Sequence, residues 1–498
     1  MKPLKILSLT LISLMLASSC VEKEKSLTVE VFETSRSGNK LSKIDSFSPG
    51  TESASKISLN PKKTFQTFTG FGGSFTESSA YLLNQLGKEN RQKIIDAYFA
   101  DSGARYSLTR THMNSSDFSL DQYSYAPVEG DTLLKFFSIE EDKDDIIPMI
   151  KDAMAASSEG FNIISSPWTA PPWMKTNNAW VGGELKREHY DTWALFFSKY
   201  ADAYKAEGID IWGFTVENEP HGNGNNWESM HYNPEEMTEF VRDYLGPQLE
   251  NDGKGDLKIL GYDQNRKGIK EWVDVMYKNE ANAKYYDGMA IHWYESTFKV
   301  FPEALQYAHE KAPDKYLIQT EACVDSEVPK WQNDDWYWQK EATDWGWDWA
   351  PEDQKHLHPK YRPVYRYARD IIGCMNNWVD GWVDWNMVLD RQGGPNWFKN
   401  WCVAPVIVDP DQDEVYFTPL YYTMAHFSKY IRPGAKRIAF ESTDQDLQVS
   451  AATNPDGSHV VIVFNPSKEE KVFDLHLDDA VKTLSISPQA IQTITLIN

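Results

Sequence analysis

The chain has 498 residues, enough for more than one hydrophobic core. Its 50 Lys and Arg against 73 Asp and Glu give a formal charge of −23, which repels polyanions and argues against nucleic acid or acidic polysaccharide as the main ligand. Aromatic residues make up 13% of the chain, and rings with an apolar face and a polar edge suit a neutral, sugar-like ligand.

In chain order, the first element is Lys2 and Lys5 followed by an apolar run from Ile6 to Leu16 and then Ala17-Ser18-Ser19-Cys20. This pattern predicts a secretory signal over residues 1–20, too short to span a bilayer as a mature helix. Small residues leading into Cys20 resemble a bacterial lipoprotein signal, which implies an exported protein of the cell envelope, lipid-anchored to the outer membrane through Cys20 and attached to membrane in no other way. Val21 to Ser26 then reads as a charged tether.

Residues 27–60 predict short strands, such as Leu27 to Phe32, outside the main core. Over 61–432, apolar runs alternate with amphipathic stretches, the pattern of β/α units. Eight strand candidates are Phe65 to Phe71, Tyr106 to Thr111, Asn162 to Ser166, Ile211 to Glu217, Leu257 to Gly261, Gly288 to His292, Tyr316 to Glu321 and Gly381 to Trp385. Tyr190 to Ala206 predicts a helix whose Trp193, Phe196, Phe197 and Tyr200 face the core. Gly70, Gly72 and Gly73 lack the third glycine of a dinucleotide fingerprint and predict a tight strand-to-loop turn. Between Trp331 and Trp349 six tryptophans crowd together, continuing through His356-Leu357-His358-Pro359; this excursion is too long for an ordinary β/α loop and predicts a segment overhanging the barrel mouth.

Residues 433–498 return to strand-like runs, with a hairpin turn at Asn454-Pro455-Asp456-Gly457. The predicted fold is therefore α/β: a (β/α)8 TIM barrel with an attached antiparallel β-sandwich side domain built from both chain ends. Cys323, Cys374 and Cys402 are widely spaced and odd in number, so no disulfide framework is indicated. No metal-ligand spacing occurs and no cofactor is signalled.

Chemistry concentrates at two strand ends. Glu219, in Thr215-Val216-Glu217-Asn218-Glu219-Pro220, and Glu321, in Gln319-Thr320-Glu321-Ala322-Cys323, lie 102 residues apart. One strand-helix unit takes about 30 residues or more, so the gap fits three units and assigns the two acids to strands four and seven. Two carboxyl groups about 5 to 5.5 Å apart are the equipment of a retaining glycosidase. Strand alternation puts Glu217 and Glu219 on one side, and pattern alone leaves the choice between them open. His292 and Tyr294 fall just past the sixth strand, within reach of the same site.

The Asn218-Glu219-Pro220 ending resembles glycoside hydrolase clan A. Further motifs resemble glycoside hydrolase family 30: Gly-Phe-Gly-Gly-Ser-Phe-Thr-Glu at 70–77, Ser-Pro-Trp-Thr-Ala-Pro-Pro-Trp-Met-Lys-Thr-Asn at 166–177, Ile-His-Trp-Tyr at 291–294, Thr-Glu-Ala-Cys-Val at 320–324, and Asp-Trp-Asn at 384–386 with Gly-Gly-Pro-Asn-Trp at 393–397. The resemblance implies Glu219 as acid/base, Glu321 as nucleophile and Asn218 as the partner of a sugar 2-hydroxyl, which settles the choice against Glu217. It also implies Arg110 beside the nucleophile, and Asp117, Trp168, Trp385 and Asn396 around the first sugar; from their position past the sixth strand, Tyr294 is expected to bond Glu321 and His292 to support the site. The expected substrate is a neutral β-glucan or oligosaccharide: similar family members attack β-1,6-linked glucans, and the long aromatic-rich loops, which tend to wall off a pocket, favour exo removal of glucose. Endo action, a glucosylceramide-type substrate and a non-catalytic glycan-binding protein are the competing readings.

Overall fold

The computed structural model describes residues 25–48, 55–222, 226–296, 299–325 and 362–496. The signal segment with Cys20 and the Trp-rich excursion, including His356 to Pro359, lie outside the described residues.

Eight parallel strands close into a barrel. In chain order they are Gly70–Phe75, Leu108–Met113, Asn162–Pro167, Gly213–Thr215, Lys258–Asn265, Gly288–His292, Tyr316–Glu321 and Gly381–Asn386. Leu108, Ile164, Leu260, Ala290, Ile318 and Val383 meet inside it, all within 0% of residual exposure, as a packed plug beneath the mouth. Helices cover the outside. Tyr190–Ala206 buries Trp193, Phe196, Phe197 and Tyr200, as its periodicity predicts.

The first strand departs from the sequence expectation. Phe65 and Gln66 end the 13-residue strand Ser55–Thr67 of the second domain, and the barrel strand is the glycine run itself. The expected tight turn at Gly70, Gly72 and Gly73 is therefore wrong. A Cβ on Gly72 would lie 2.0 Å from the Leu108 carbonyl oxygen, so glycine is required by the close approach of the second strand rather than by a turn.

Strands from both chain ends form one ten-stranded sheet, with Val29–Ser35 beside Ala490–Leu496 and Ser55–Thr67 beside Lys436–Ser442. Its inward residues, among them Val31, Ile57, Val461, Phe473 and Ile494, make a second core. The pairing is not wholly antiparallel: Ser55–Thr67 lies between Lys436–Ser442, to which it is antiparallel, and Lys471–Leu477, to which it is parallel. The helix Pro419–Ser428 joins the two domains. Its buried His426 contacts Thr493 Oγ1 at 2.8 Å and Thr34 Oγ1 at 2.9 Å, both from the sheet.

Candidate active site

Beyond the fourth strand the backbone turns sharply. Asn218 N donates to the Pro167 carbonyl at 2.7 Å and Glu219 N to the Asp263 carbonyl at 3.0 Å, tying this segment to both neighbouring strands. Glu219 has φ 51°, a left-handed conformation that a non-glycine residue adopts only where its surroundings enforce it. The turn breaks the alternation that leaves two acids equivalent in sequence. Glu219 lines the central cavity, whereas Glu217 is fully buried beside Lys175, its carboxyl pushed well up by burial against the pull of that lysine.

Arg110, on the second strand, organises the floor. Its Nη1 donates to Glu321 Oε2 at 2.5 Å, its Nη2 to Asn218 Oδ1 at 2.9 Å and to Asp263 Oδ2 at 2.7 Å, and its Nε to Ser166 Oγ at 2.9 Å. The guanidinium also lies 4.9 Å from the Trp168 ring centre. Tyr294 Oη donates to the other oxygen of Glu321 at 2.9 Å. Both Glu321 oxygens are therefore fixed in place. Burial pushes this carboxyl above the ordinary carboxylate range, His292 and Arg110 pull it back, and Glu219 adds to the upward push.

Asp263 is the residue that sequence reasoning missed. It sits near the end of the fifth strand, where Tyr262 and Asp263 have φ 75° and 61° and the register to the sixth strand slips. The irregularity aims its carboxylate inward, where it accepts from Arg110, from Thr320 Oγ1 at 2.5 Å and from His292 Nε2 at 3.0 Å. Burial opposes its charge, but Arg110 and His292 hold it well below the usual range. His292 in turn has Nδ1 3.4 Å from Glu219 Oε1. Burial disfavours its cation, yet Glu321, Asp263 and Glu219 push it up to about 9. The available signal was a carboxylate just past an apolar strand, the signal that marks Glu219 and Glu321.

Above this floor opens a cavity of about 570 Å³. Of the residues expected from sequence, Asp117, Trp168, Asn218, Glu219, Tyr294, Glu321 and Trp385 line it, with Arg110 and His292 buried beneath. Trp168 and Trp385 stack with centres 5.1 Å apart and planes at 23°, forming one wall. Asn396 is not among the lining residues. Its side chain is spent on the backbone of Asn400, accepting from Asn400 N at 2.8 Å and donating to the Asn400 carbonyl at 2.6 Å. Asn400 takes the place expected for it, lining the cavity and donating to Asp117 Oδ2 at 3.1 Å. Burial pushes Asp117 well up, the charge of Glu321 adds to this, and Asn400 counters it.

Asn226, Gln264, Asn265 and Lys399 give the cavity further polar groups, and Trp227 and Phe398 meet edge to face at 5.2 Å. Sequence reading singled out none of these six: Gln264 and Asn265 end the fifth strand past the irregularity at Asp263, and the other four lie in loops without periodicity. Among the described residues no group of three or more His, Cys, Asp and Glu side chains is placed to hold a metal ion.

A closed parallel barrel with acids gathered at the C-terminal strand ends defines a barrel enzyme acting at that face. The Glycosyl hydrolase family 30 TIM-barrel domain matches residues 68–431 and the Glycosyl hydrolase family 30 beta sandwich domain matches 434–494. The chain belongs to glycosyl hydrolase family 30 and is a glycoside hydrolase. Lysosomal acid glucosylceramidase of Mus musculus is 34% identical over 442 residues, covering 87% of this chain and 81% of the mouse protein. The crystal structure of SrfJ from Salmonella typhimurium is similar with a TM-score of 0.83 at 30% identity, covering 94% of this chain and 99% of that one. An endo-β1,6-glucanase structure gives a TM-score of 0.81 at 28% identity, covering 94% and 100%.

Proposed function

We propose that the protein is a retaining β-glucosidase that removes β-1,6-linked glucose from β-glucans by double displacement, one unit at a time. The observation that carries the mechanism is the unequal treatment of two acids facing one cavity. Glu321 has both oxygens pinned by Arg110 and Tyr294, a geometry suited to in-line attack on the anomeric carbon, while Glu219 keeps its contact with His292 and faces the leaving oxygen. Glu321 attacks as Glu219 donates its proton to the departing group. Glu219 then takes a proton from water, which releases β-glucose. Asn218, oriented by Arg110, bonds the 2-hydroxyl, and Asp117 with Asn400 bonds hydroxyls across the ring while Trp168 and Trp385 cover its apolar face.

The amide groups of Asn226, Gln264 and Asn265 in the cavity wall support a sugar as leaving group, because they offer donors and acceptors to its hydroxyls. The identity to glucosylceramidases favours a second reading, in which the substrate is a β-glucolipid. Export as a lipoprotein anchored at Cys20 in the outer membrane completes the proposal and rests on the leader pattern.

Anomer- and length-resolved analysis of the products from a β-1,6-linked glucan oligomer tests it. β-Glucose released singly is the expected result. Internal cleavage would replace exo by endo action, and cleavage of glucosylceramide alone would replace the substrate.

A further inference from the structure

Cys323 and Cys402 place two buried thiols in the cavity wall with their sulfur atoms 3.2 Å apart. Cys323 follows Glu321 by two residues. Cys402 opens the short strand Cys402–Val403, which pairs antiparallel with Val324–Asp325 and so holds the two sulfur-bearing segments side by side. The chain entering Cys402 carries Phe398, Lys399 and Asn400 of the cavity wall. Tyr294 Oη lies 3.6 Å from Cys323 Sγ as well as 2.9 Å from Glu321. Cys374 is buried apart from them, 3.1 Å from an Arg266 nitrogen and 3.5 Å from Asp370.

We propose that Cys323 and Cys402 are a modification site that takes a disulfide bond, fastening the segment with Phe398 and Asn400 to the strand end that bears Glu321. The sulfurs need approach only from 3.2 Å to about 2.0 Å, a displacement that side-chain rotation supplies. Sequence spacing gives no hint of the pair, because the two positions are 79 residues apart and the barrel's eighth unit lies between them.

The oxidant is a low-molecular-weight disulfide such as oxidised glutathione, approaching through the cavity that both cysteines line. One cysteine, as thiolate, attacks that disulfide and releases one glutathione thiol; the second cysteine then attacks the mixed disulfide and releases the other. Two thiols lose two protons and two electrons as the Sγ–Sγ bond forms, and the electrons reduce one disulfide to two thiols. The cross-link restricts the unfolded chain over a long loop and holds Asn400 against Asp117 in the folded one. This inference stands on the thiol geometry and is independent of the substrate assigned above.

The test is peptide mapping of the whole protein after oxidation by glutathione in the folded state, with thiols blocked before digestion. The expected result is a peptide pair joining Cys323 to Cys402, lighter than the two thiol peptides by two hydrogens, with Cys374 blocked only after unfolding. Oxidation should raise Tm by about 3 °C or more, reversibly on adding dithiothreitol, and Cys402→Ser should abolish that difference. Unlinked thiols in a protein that retains its native circular dichroism, or linkage of either cysteine to any other, would overturn the proposal.

Discussion

Arg110 and Asp263 form a fully buried ion pair, Nη2 to Oδ2 at 2.7 Å, beneath the carboxylates that face the cavity. The pair explains why a cation can sit at the floor of an apolar barrel: Asp263 and Glu321 compensate its charge, and Ser166 and Asn218 satisfy further donors. Asp263 reaches past Arg110 to His292, and His292 to Glu219. One unannounced carboxylate thus links the supports of both acids.

Asp263→Asn should keep the side-chain shape and lose the fixed charge. The expected outcome is a fall in kcat/KM of roughly 100-fold, mostly in kcat, because Arg110 and His292 lose the anion that orients them. Steady-state kinetics alongside far-UV circular dichroism checks this. A variant with native kinetics would remove Asp263 from the positioning network.

The roles assigned to the two acids make opposite demands on an external nucleophile. Glu219→Ala, assayed on a glucoside with a good leaving group, should recover rate on addition of azide and yield a β-glycosyl azide, since the glycosyl-enzyme still forms on Glu321. Glu321→Ala should lose activity by several orders of magnitude, and any azide product should have the α configuration. Proton NMR of the products distinguishes the two. The opposite pairing of variant and anomer would exchange the roles.

Periodicity and strand-end polarity made seven of the eight barrel strands readable, because each buries both faces and several give way at their C-terminal ends to polar residues of the cavity. The order of the barrel, with Glu219 after strand four and Glu321 closing strand seven, follows from spacing alone. Three features were not readable. Glu217 and Glu219 are separated by a left-handed φ that no pattern encodes, Asp263 is aimed by a register slip, and Asn400 rather than Asn396 lines the cavity because the intervening backbone doubles back on itself. The glycine strand was displaced for a related reason: glycine signals a turn in sequence, but here it permits strand contact.

Trp227 and Phe398, meeting edge to face in the cavity wall, offer an aromatic surface for whatever leaves. If that is a sugar, Trp227→Ala should lower kcat/KM for β-1,6-glucan oligomers by about 10-fold, the equivalent of roughly 1.4 kcal/mol, and leave a small aryl glucoside within about 2-fold. The comparison of the two substrates on one enzyme preparation decides it, because a folding defect would lower both equally.

His292, held at about 9 against an ordinary 6.5, contributes stability through its cation. A pKa raised on folding means that the contribution is complete below about pH 6.5 and is lost as pH rises through about 9. The unfolding midpoint of the wild type should therefore fall from neutral pH toward pH 9 more steeply than that of His292→Gln. Parallel urea titrations across this range measure the difference, and identical slopes would place the cation elsewhere.

His426 works with the opposite sign. Burial at the joint between barrel and sheet pushes its imidazole down to about 3, so the ring stays neutral while it bridges Thr493 and Thr34. A pKa lowered on folding means that the unfolded chain takes up a proton below about pH 6.5 and the folded chain does not, so stability is complete above 6.5 and lost as pH falls toward 3. Protonation also leaves an added N–H donor facing the hydroxyl groups of Thr493 and Thr34, which carry no charge to compensate the cation. His426→Gln should lower stability at pH 7, where one of the two bridging bonds weakens, and should flatten the decline between pH 6.5 and 4 relative to wild type. Chemical denaturation of both proteins at pH 4, 5.5 and 7 checks the sign. A variant that loses stability on acidification as fast as the wild type would move the acid-sensitive step away from this joint.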